Sequence, residues 1–286
     1  MKVVVIGDLA IDIRGNLNDV IKPGKNLILK NVKEHVGGVA GNITYYLRML
    51  KDQVTVVGSV GNDVWGSKII DRLRLLGADV SKIKTCDGIP TGFLVIILDQ
   101  NRERTMIGSR GSNEKLSVTA EELSSIKPDW IHISGYTLLN RKGKEILRDA
   151  QKAATKLGIH YSVDLEGIGS KNVSLSLPSA VVFCNEGSCS EKSRKDASIT
   201  VIKASSNGCY RLYNGEVVQH RTLKVKVKDT TAAGDAFNAA FIHAYWKTKS
   251  VDVACEFANR IAAFKVTKNG NMVKIPLDLL KEFDAL

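Results

Sequence analysis

From residue 54 onward, short β-branched runs alternate with amphipathic helical stretches, and few folds accommodate that rhythm. Residues 54–60, 130–134, 159–164, 180–184 and 199–204 read as strands. Residues 64–76, 142–157, 234–246, 251–266 and 277–283 read as helices. The apolar run at residues 2–6 adds a buried strand that ends at Gly7-Asp8. Strands alternating with helices imply an α/β fold: a mostly parallel sheet flanked by helices on both faces. In such open sheets, ligands bind beyond the carboxyl ends of the strands.

Two regions break the rhythm. Residues 11–36 mix short apolar groups with Arg14, Asn16, Asn18, Asp19 and Pro23-Gly24, which reads as hairpin structure. Residues 91–99 and 104–107 form a second hairpin through Gln100-Asn101. The stretches 11–36 and 90–109 are expected to make one small β appendage beside the ligand cleft. A third hairpin is signalled by Asn214-Gly215 between residues 211–213 and 216–220. Residues 38–49 return to helical spacing, with Ile43, Tyr46, Leu47 and Leu50 on one side. No linker interrupts the chain, so residues 1–286 read as one domain.

Composition narrows the function. Lys and Arg total 41 against 30 Asp and Glu, a net charge of +11 that favours polyanionic ligands. The charge is spread along the chain, and Lys224, Lys226 and Lys228 alternate with Val225 and Val227 as in a strand with one solvated face. Neither a nucleic-acid partner nor a membrane partner is expected. The five cysteines lack metal-finger spacing, and their odd number suits thiols in a reducing compartment. Asp8 interrupts the apolar start too early for a signal-peptide core, so the expected location is cytoplasmic.

The chemistry concentrates in Asp229-Thr230-Thr231-Ala232-Ala233-Gly234-Asp235-Ala236-Phe237, which follows a strand-like run and opens a helix. Small residues let backbone approach a ligand, and the first-turn N–H groups with the helix dipole favour an anion there. A carboxylate in that setting either caps the helix or takes a proton from a reacting hydroxyl. Gly37-Gly38-Val39-Ala40-Gly41-Asn42 also precedes a helix, as a tight loop or as a place of close backbone approach. Asp8 and Asp12 follow the first strand, where they are either solvated acids or acceptors for sugar hydroxyls.

Taken together these segments resemble the PfkB, or ribokinase-like, carbohydrate kinase family across nearly the whole chain. Asp229 to Phe237 is similar to the family's C-terminal signature, and Gly37 to Asn42 to its glycine-rich N-terminal one. Val57-Gly58-Ser59-Val60-Gly61-Asn62-Asp63, with Gly66, is similar to a segment between them. The resemblance implies a ribokinase-like fold in which the β appendage is a lid over a sugar. It implies ATP as phosphoryl donor and Mg2+ as cofactor. By position, Asp235 matches the catalytic base, and Ala232, Ala233 and Gly234 match the anion hole. Asp12, Gly37, Gly38 and Asn42 match the acceptor site, with Asp8 a further candidate. Asn185, Lys203, Gly208, Thr230 and Asn259 fall on the nucleotide side.

Departures from the family pattern are also legible. Asn185-Glu186-Gly187-Ser188 stands where the family has N-x-x-E, which leaves Glu186, or Glu191, as a substitute metal carboxylate. Only Gly208 survives of the T-L-G-x-x-G turn, with Lys203 at its start. Ile168 stands where many members carry an arginine after Asp164-Leu165-Glu166. The expected activity is ATP-dependent phosphorylation of a hydroxyl on an unphosphorylated sugar or nucleoside. The alternatives are a kinase for a sugar acid, an inositol or a sugar phosphate, and a non-catalytic ligand-binding protein. Asn26, Leu27, Ile28, Phe93 and Met106 are candidate lid residues for choosing the acceptor, and Arg104 and Arg110 would suit an acidic one. Exposed lid edges suggest a homodimer through the lid.

Overall fold

The computed structural model describes residues 1–100, 104–166, 180–188 and 197–284. Asn101, Ile168, Cys189 and Glu191 lie outside the described residues. Its strands, in chain order, are β1 (Lys2–Ile6), β2 (Ala10–Asn16), β3 (Lys30–Gly37), β4 (Gln53–Gly61), β5 (Asp79–Cys86), β6 (Gly92–Leu98) and β7 (Arg104–Ser109). They continue with β8 (Trp130–Ser134), β9 (His160–Asp164), β10 (Ala180–Asn185), β11 (Ile199–Lys203), β12 (Cys209–Tyr213) and β13 (Glu216–His220). The α-helices are α1 (Val39–Met49), α2 (Val64–Leu75), α3 (Ala120–Ile126), α4 (Gly143–Leu157), α5 (Ala233–Thr248), α6 (Val251–Val266) and α7 (Leu277–Asp284).

The large sheet has the order β13-β12-β11-β10-β9-β8-β1-β4-β5 and is parallel from β5 to β11, with β12 and β13 antiparallel at one edge. β1 lies inside it, and Val3, Val4, Val5 and Ile6 are completely buried. Residues alternate between faces of a strand. Val3 and Val5 therefore join the core that holds α1, α2, α5 and α6, while Val4 and Ile6 join the core under α3 and α4. The order reverses at β1, which pairs with β4 on one side and β8 on the other. That reversal opens the crevice at the end of β1 where ligands of such sheets bind.

The two irregular regions form one four-stranded lid of order β3-β2-β6-β7. They are not independent hairpins, because β2 and β6 pair in parallel along their whole length. Ile11 and Ile13 face the core, and Phe93 packs on Trp65 of α2 with ring centroids 5.7 Å apart. Asp12 and Arg14 take the other face. Across the ladder from them stand His35 and Lys33.

Several expectations are corrected. β5 was unread, because its run of Asp79, Ser81, Lys82 and Lys84 shows a weak apolar pattern at a sheet edge. α3 was also unread, although Thr119 and Glu122 form a capping box at its start, a signal present in the sequence. Residues 221–227 make no strand: β13 ends at the sheet edge, and Val225 and Val227 remain 37% and 57% exposed. Cys86, Cys209 and Cys255 are thiols, but Cys184 is disulfide-bonded. Among the described residues no helix is long and apolar enough to cross a membrane.

One ion pair ties the lid to the segment that opens α5. Arg14 of β2 binds the Asp229 carboxylate, which also accepts from the N–H groups of Thr231 and Gly270 at 2.9 and 2.8 Å. The Asp229 carbonyl accepts from the buried Lys265 ammonium at 2.8 Å. Burial opposes ionisation of Asp229, but the Thr231 and Gly270 hydrogen bonds and the Lys265 charge prevail and hold its pKa down at about 2. A carboxylate depressed on folding stabilises the fold above its unfolded pKa, near 4, and that contribution disappears as pH falls toward 2. Asp229→Asn is therefore expected to cost about 2 kcal/mol at neutral pH and to flatten the loss of stability between about pH 4 and pH 2. Urea unfolding across that range checks it, and an unchanged midpoint at neutral pH would refute the tether.

Candidate active site

The site begins where β1 ends. After Ile6 the chain turns through Gly7 and Asp8 into the lid, and β3 brings it back through Gly37 and Gly38 to α1. Gly38 has φ +78°, and a Cβ there would lie 2.4 Å from the Asp8 carbonyl oxygen. A side chain at Gly37 would meet the Asp12 carboxylate at 2.2 Å. The paired glycines thus let the lid, the β1 turn and the start of α1 converge. The Ala40 N–H donates to the Asp8 carbonyl at 3.1 Å, which locks that convergence.

α1 then presents Asn42, whose Nδ2 donates to Asp235 Oδ2 at 2.8 Å. Asp235 occupies the first turn of α5 and is 8% exposed. Ala232 precedes the helix with φ +59°, a left-handed residue that redirects the backbone into it. The Ala233 N–H closes this turn on the Thr230 carbonyl at 3.2 Å. Among the described residues, the N–H groups of Ala232, Gly234 and Asp235 have no hydrogen-bond acceptor. Of the expected set Ala232, Ala233 and Gly234, the Ala233 N–H is engaged in the turn, while those of Ala232 and Gly234 are open together with that of Asp235.

Burial pushes the Asp235 carboxyl up to about 8, and the charge of Glu166 adds to that. The Asn42 hydrogen bond and the Lys203 charge act against it. Asp12 is raised to about 7, by burial above all, against a hydrogen bond from Asn271 Nδ2 at 3.3 Å. Both groups can exchange protons near neutrality, which suits them to hydroxyl ligands.

Lys203 is not a surface lysine. It projects from the end of β11 to Asp164 at 2.7 Å and Glu166 at 3.4 Å, with its side chain 10% exposed. Burial disfavours its charge, but Asp164 and Glu166 outweigh burial and raise its pKa. A Cβ on Gly234 would lie 3.2 Å from the ammonium and 3.1 Å from Glu166 Oε2. A side chain there would make this ion pair shift by a few tenths of an ångström from the mouth of α5. Asn238, one turn into α5, donates to Asp164 and fixes the pair from below.

The remaining expected residues divide. Asp8 is held by Arg110 through two hydrogen bonds of 2.9 and 2.8 Å, so these two satisfy each other. Asp8, expected on a sugar, and Arg110, expected on an acidic acceptor, are thus each other's partners in this structure. Gly208 and Asn259 meet at the His220 carbonyl. A Cβ on Gly208 would lie 2.0 Å from that oxygen, and Asn259 Nδ2 donates to it at 2.8 Å. Thr230 is exposed at the helix entrance. Asn185 pairs with Lys203 in register at the ends of β10 and β11, and Glu186 follows it as an exposed carboxylate. Of the candidate lid residues, Phe93 packs on Trp65, and Ile28 and Met106 are 82% and 53% exposed.

Beside Asp12 a polar cleft of about 530 Å³ runs between the lid and residues 269–271. The sequence reading missed Arg14, Lys33, His35 and Asn271 on its wall. The alternation of Lys33 and His35 along β3 was the available signal, since residues two apart share a face.

Comparison with known proteins identifies the fold and the family. A ribokinase of Arabidopsis thaliana, solved with ribose and ATP, matches the fold with a TM-score of 0.80 at 22% identity, covering 98% of each chain. A ribokinase of Haemophilus influenzae is 25% identical over 280 residues, 89% of each protein. An uncharacterised sugar kinase of Archaeoglobus fulgidus is 26% identical over 248 residues, 80% of this chain and 98% of its own length. The model of the pfkB family carbohydrate kinases matches residues 1–186 and 188–277. With that match over nearly its whole length, the chain belongs to the pfkB family of carbohydrate kinases.

Proposed function

We propose that this chain transfers the γ-phosphoryl group of ATP to a hydroxyl of a small sugar or nucleoside, with Asp235 as general base. The observation that carries this reading is a buried carboxylate, held by Asn42 and set among unpartnered amides at the mouth of α5. The acceptor occupies the cleft at Asp12, and one hydroxyl passes its proton to Asp235. The oxygen forms a bond to the γ-phosphorus as the bond to the β-phosphate oxygen breaks, and ADP leaves. The N–H groups of Ala232, Gly234 and Asp235 receive the charge that develops on the transferring oxygens. Lys203 faces the same helix mouth and meets the phosphates, positioned by Asp164 and Glu166. Asn185, Gly208, Thr230 and Asn259 lie on the nucleotide side. A ribokinase of this fold solved with ribose and ATP supports the pairing of substrates.

Among the described residues no group of three acidic, histidine or cysteine side chains could hold a metal by itself. Mg2+ in phosphoryl-transfer sites is commonly held by one or two carboxylates with the substrate phosphates. The exposed Glu186 beside Asn185 fits that role, and the ion would neutralise charge on the phosphates.

Asp235→Asn is expected to lower turnover by at least ~10²-fold while acceptor binding persists. Because Asp235 must be ionised to accept a proton, kcat/KM should rise with pH through about 8. A steady-state pH profile checks both, and a variant within a few-fold of wild type would remove Asp235 from the mechanism. With one candidate carboxylate for the metal, activity should need Mg2+ above ordinary concentrations. Full activity in excess chelator would sink that part. A dimer through the lid is also proposed, since β7 is a sheet edge on which Met106 and Ile107 are 53% and 55% exposed. A monomer in sedimentation at micromolar concentration would remove it.

A further inference from the structure

The cleft beside Asp12 differs in charge between its two ends. On the inner end Asp12 offers a carboxyl suited to hydroxyl groups. Further out on the same face, β2 and β3 set two cations directly opposite each other, Arg14 and Lys33. Like charges in that position destabilise a sheet unless an anion compensates them. Arg14 is compensated by Asp229. Lys33 makes no ion pair or hydrogen bond to any described residue. The neighbouring acid on β3, Glu34, turns to the opposite face and pairs with Lys68 and Trp65. His35 feels the resulting field: after burial, the charges of Lys33, Arg14 and Lys68 push its pKa below the usual histidine value. Asp99, an exposed acid, also lines the cleft. Asn16, Asn31 and Asn269 supply neutral donors and acceptors between the ends.

This inference rests on the phosphotransferase reading and refines its acceptor. We propose that the acceptor is a sugar bearing an anionic substituent, a phosphate ester or a carboxylate, which lies against Lys33 and His35 while its hydroxyls face Asp12. A neutral sugar or nucleoside would leave the Lys33 charge opposite Arg14 uncompensated. An anion there supplies the missing charge and accepts charge-assisted hydrogen bonds from Lys33 and from the His35 N–H.

Calorimetric titration of the full-length Asp235→Asn chain tests the proposal without requiring turnover. Three ligands are compared: a pentose, the same pentose with a phosphate ester remote from one free primary hydroxyl, and the corresponding aldonic acid. At least one anionic ligand is expected to bind ~10-fold or more tightly than the neutral pentose, a difference of about 1.4 kcal/mol. That advantage should shrink as salt rises, because Lys33 is exposed. Which anion wins distinguishes a sugar phosphate from a sugar acid. Lys33→Gln, added to the same chain, should reduce the advantage to within ~3-fold, and Lys33→Arg should retain it. Equal or tighter binding of the neutral pentose, no binding of either anion, or a preference that survives Lys33→Gln would overturn the proposal. Those results would leave the kinase reading standing, because that reading is decided separately by the turnover of wild type against Asp235→Asn.

Discussion

Asp229 joins parts of the chain that lie far apart in sequence. Its carboxylate binds a lid arginine, the turn that opens α5 and the backbone at Gly270, while its carbonyl receives a buried lysine. An anion with that many donors tolerates burial, whereas the same group with one partner removed would be costly. The position of Asp229 fixes the Thr230–Gly234 turn, and that turn aims the first amides of α5. The lid is set by the same contact, so acceptor wall and helix mouth share one anchor.

The charges around the helix mouth are balanced unequally. Asp164 lies buried but ionised, because Lys203 and Asn238 satisfy it. Asp235 lies buried with a single hydrogen bond from Asn42 and is pushed toward its neutral form. Two carboxylates in opposite environments are thereby held in different states, one as a fixed counter-ion and the other pushed toward its neutral form. Lys203 serves both, since it compensates Asp164 and moderates Asp235.

The main sheet was legible because strands buried on both faces must be apolar at nearly every position, as β1 and β8 are. The signature around Asp235 was legible because helix mouths that approach phosphates need small residues in a row. β5 escaped notice because an edge strand can carry charges on its open side. The pairing of β2 with β6 escaped for a different reason: parallel pairing leaves no turn between its partners, so no local sequence announces it. Polar contacts were the least legible. Nothing near Asp8 in the chain points to Arg110, and nothing near Arg14 points to Asp229. Such pairs are chosen by where the fold delivers each side chain. Lys203 shows the same: a lysine at a strand end reads as a surface charge until the neighbouring strand brings Asp164 beside it.

The contacts that assemble the site span most of the chain. Asn42 reaches Asp235 across 193 positions, Arg14 reaches Asp229 across 215, and Asn271 reaches Asp12 across 259. Loops of that length must close before any of these bonds can reward them, and parallel strands cannot form from neighbours in sequence. The cleft and the helix mouth therefore rest on contacts of long sequence separation. A nascent chain that has completed the β1 turn, the lid and α1 still lacks α5 and residues 269–271, and with them every partner of Asn42, Arg14 and Asp12 named above. The cleft beside Asp12 is complete only once residues 269–271 are in place.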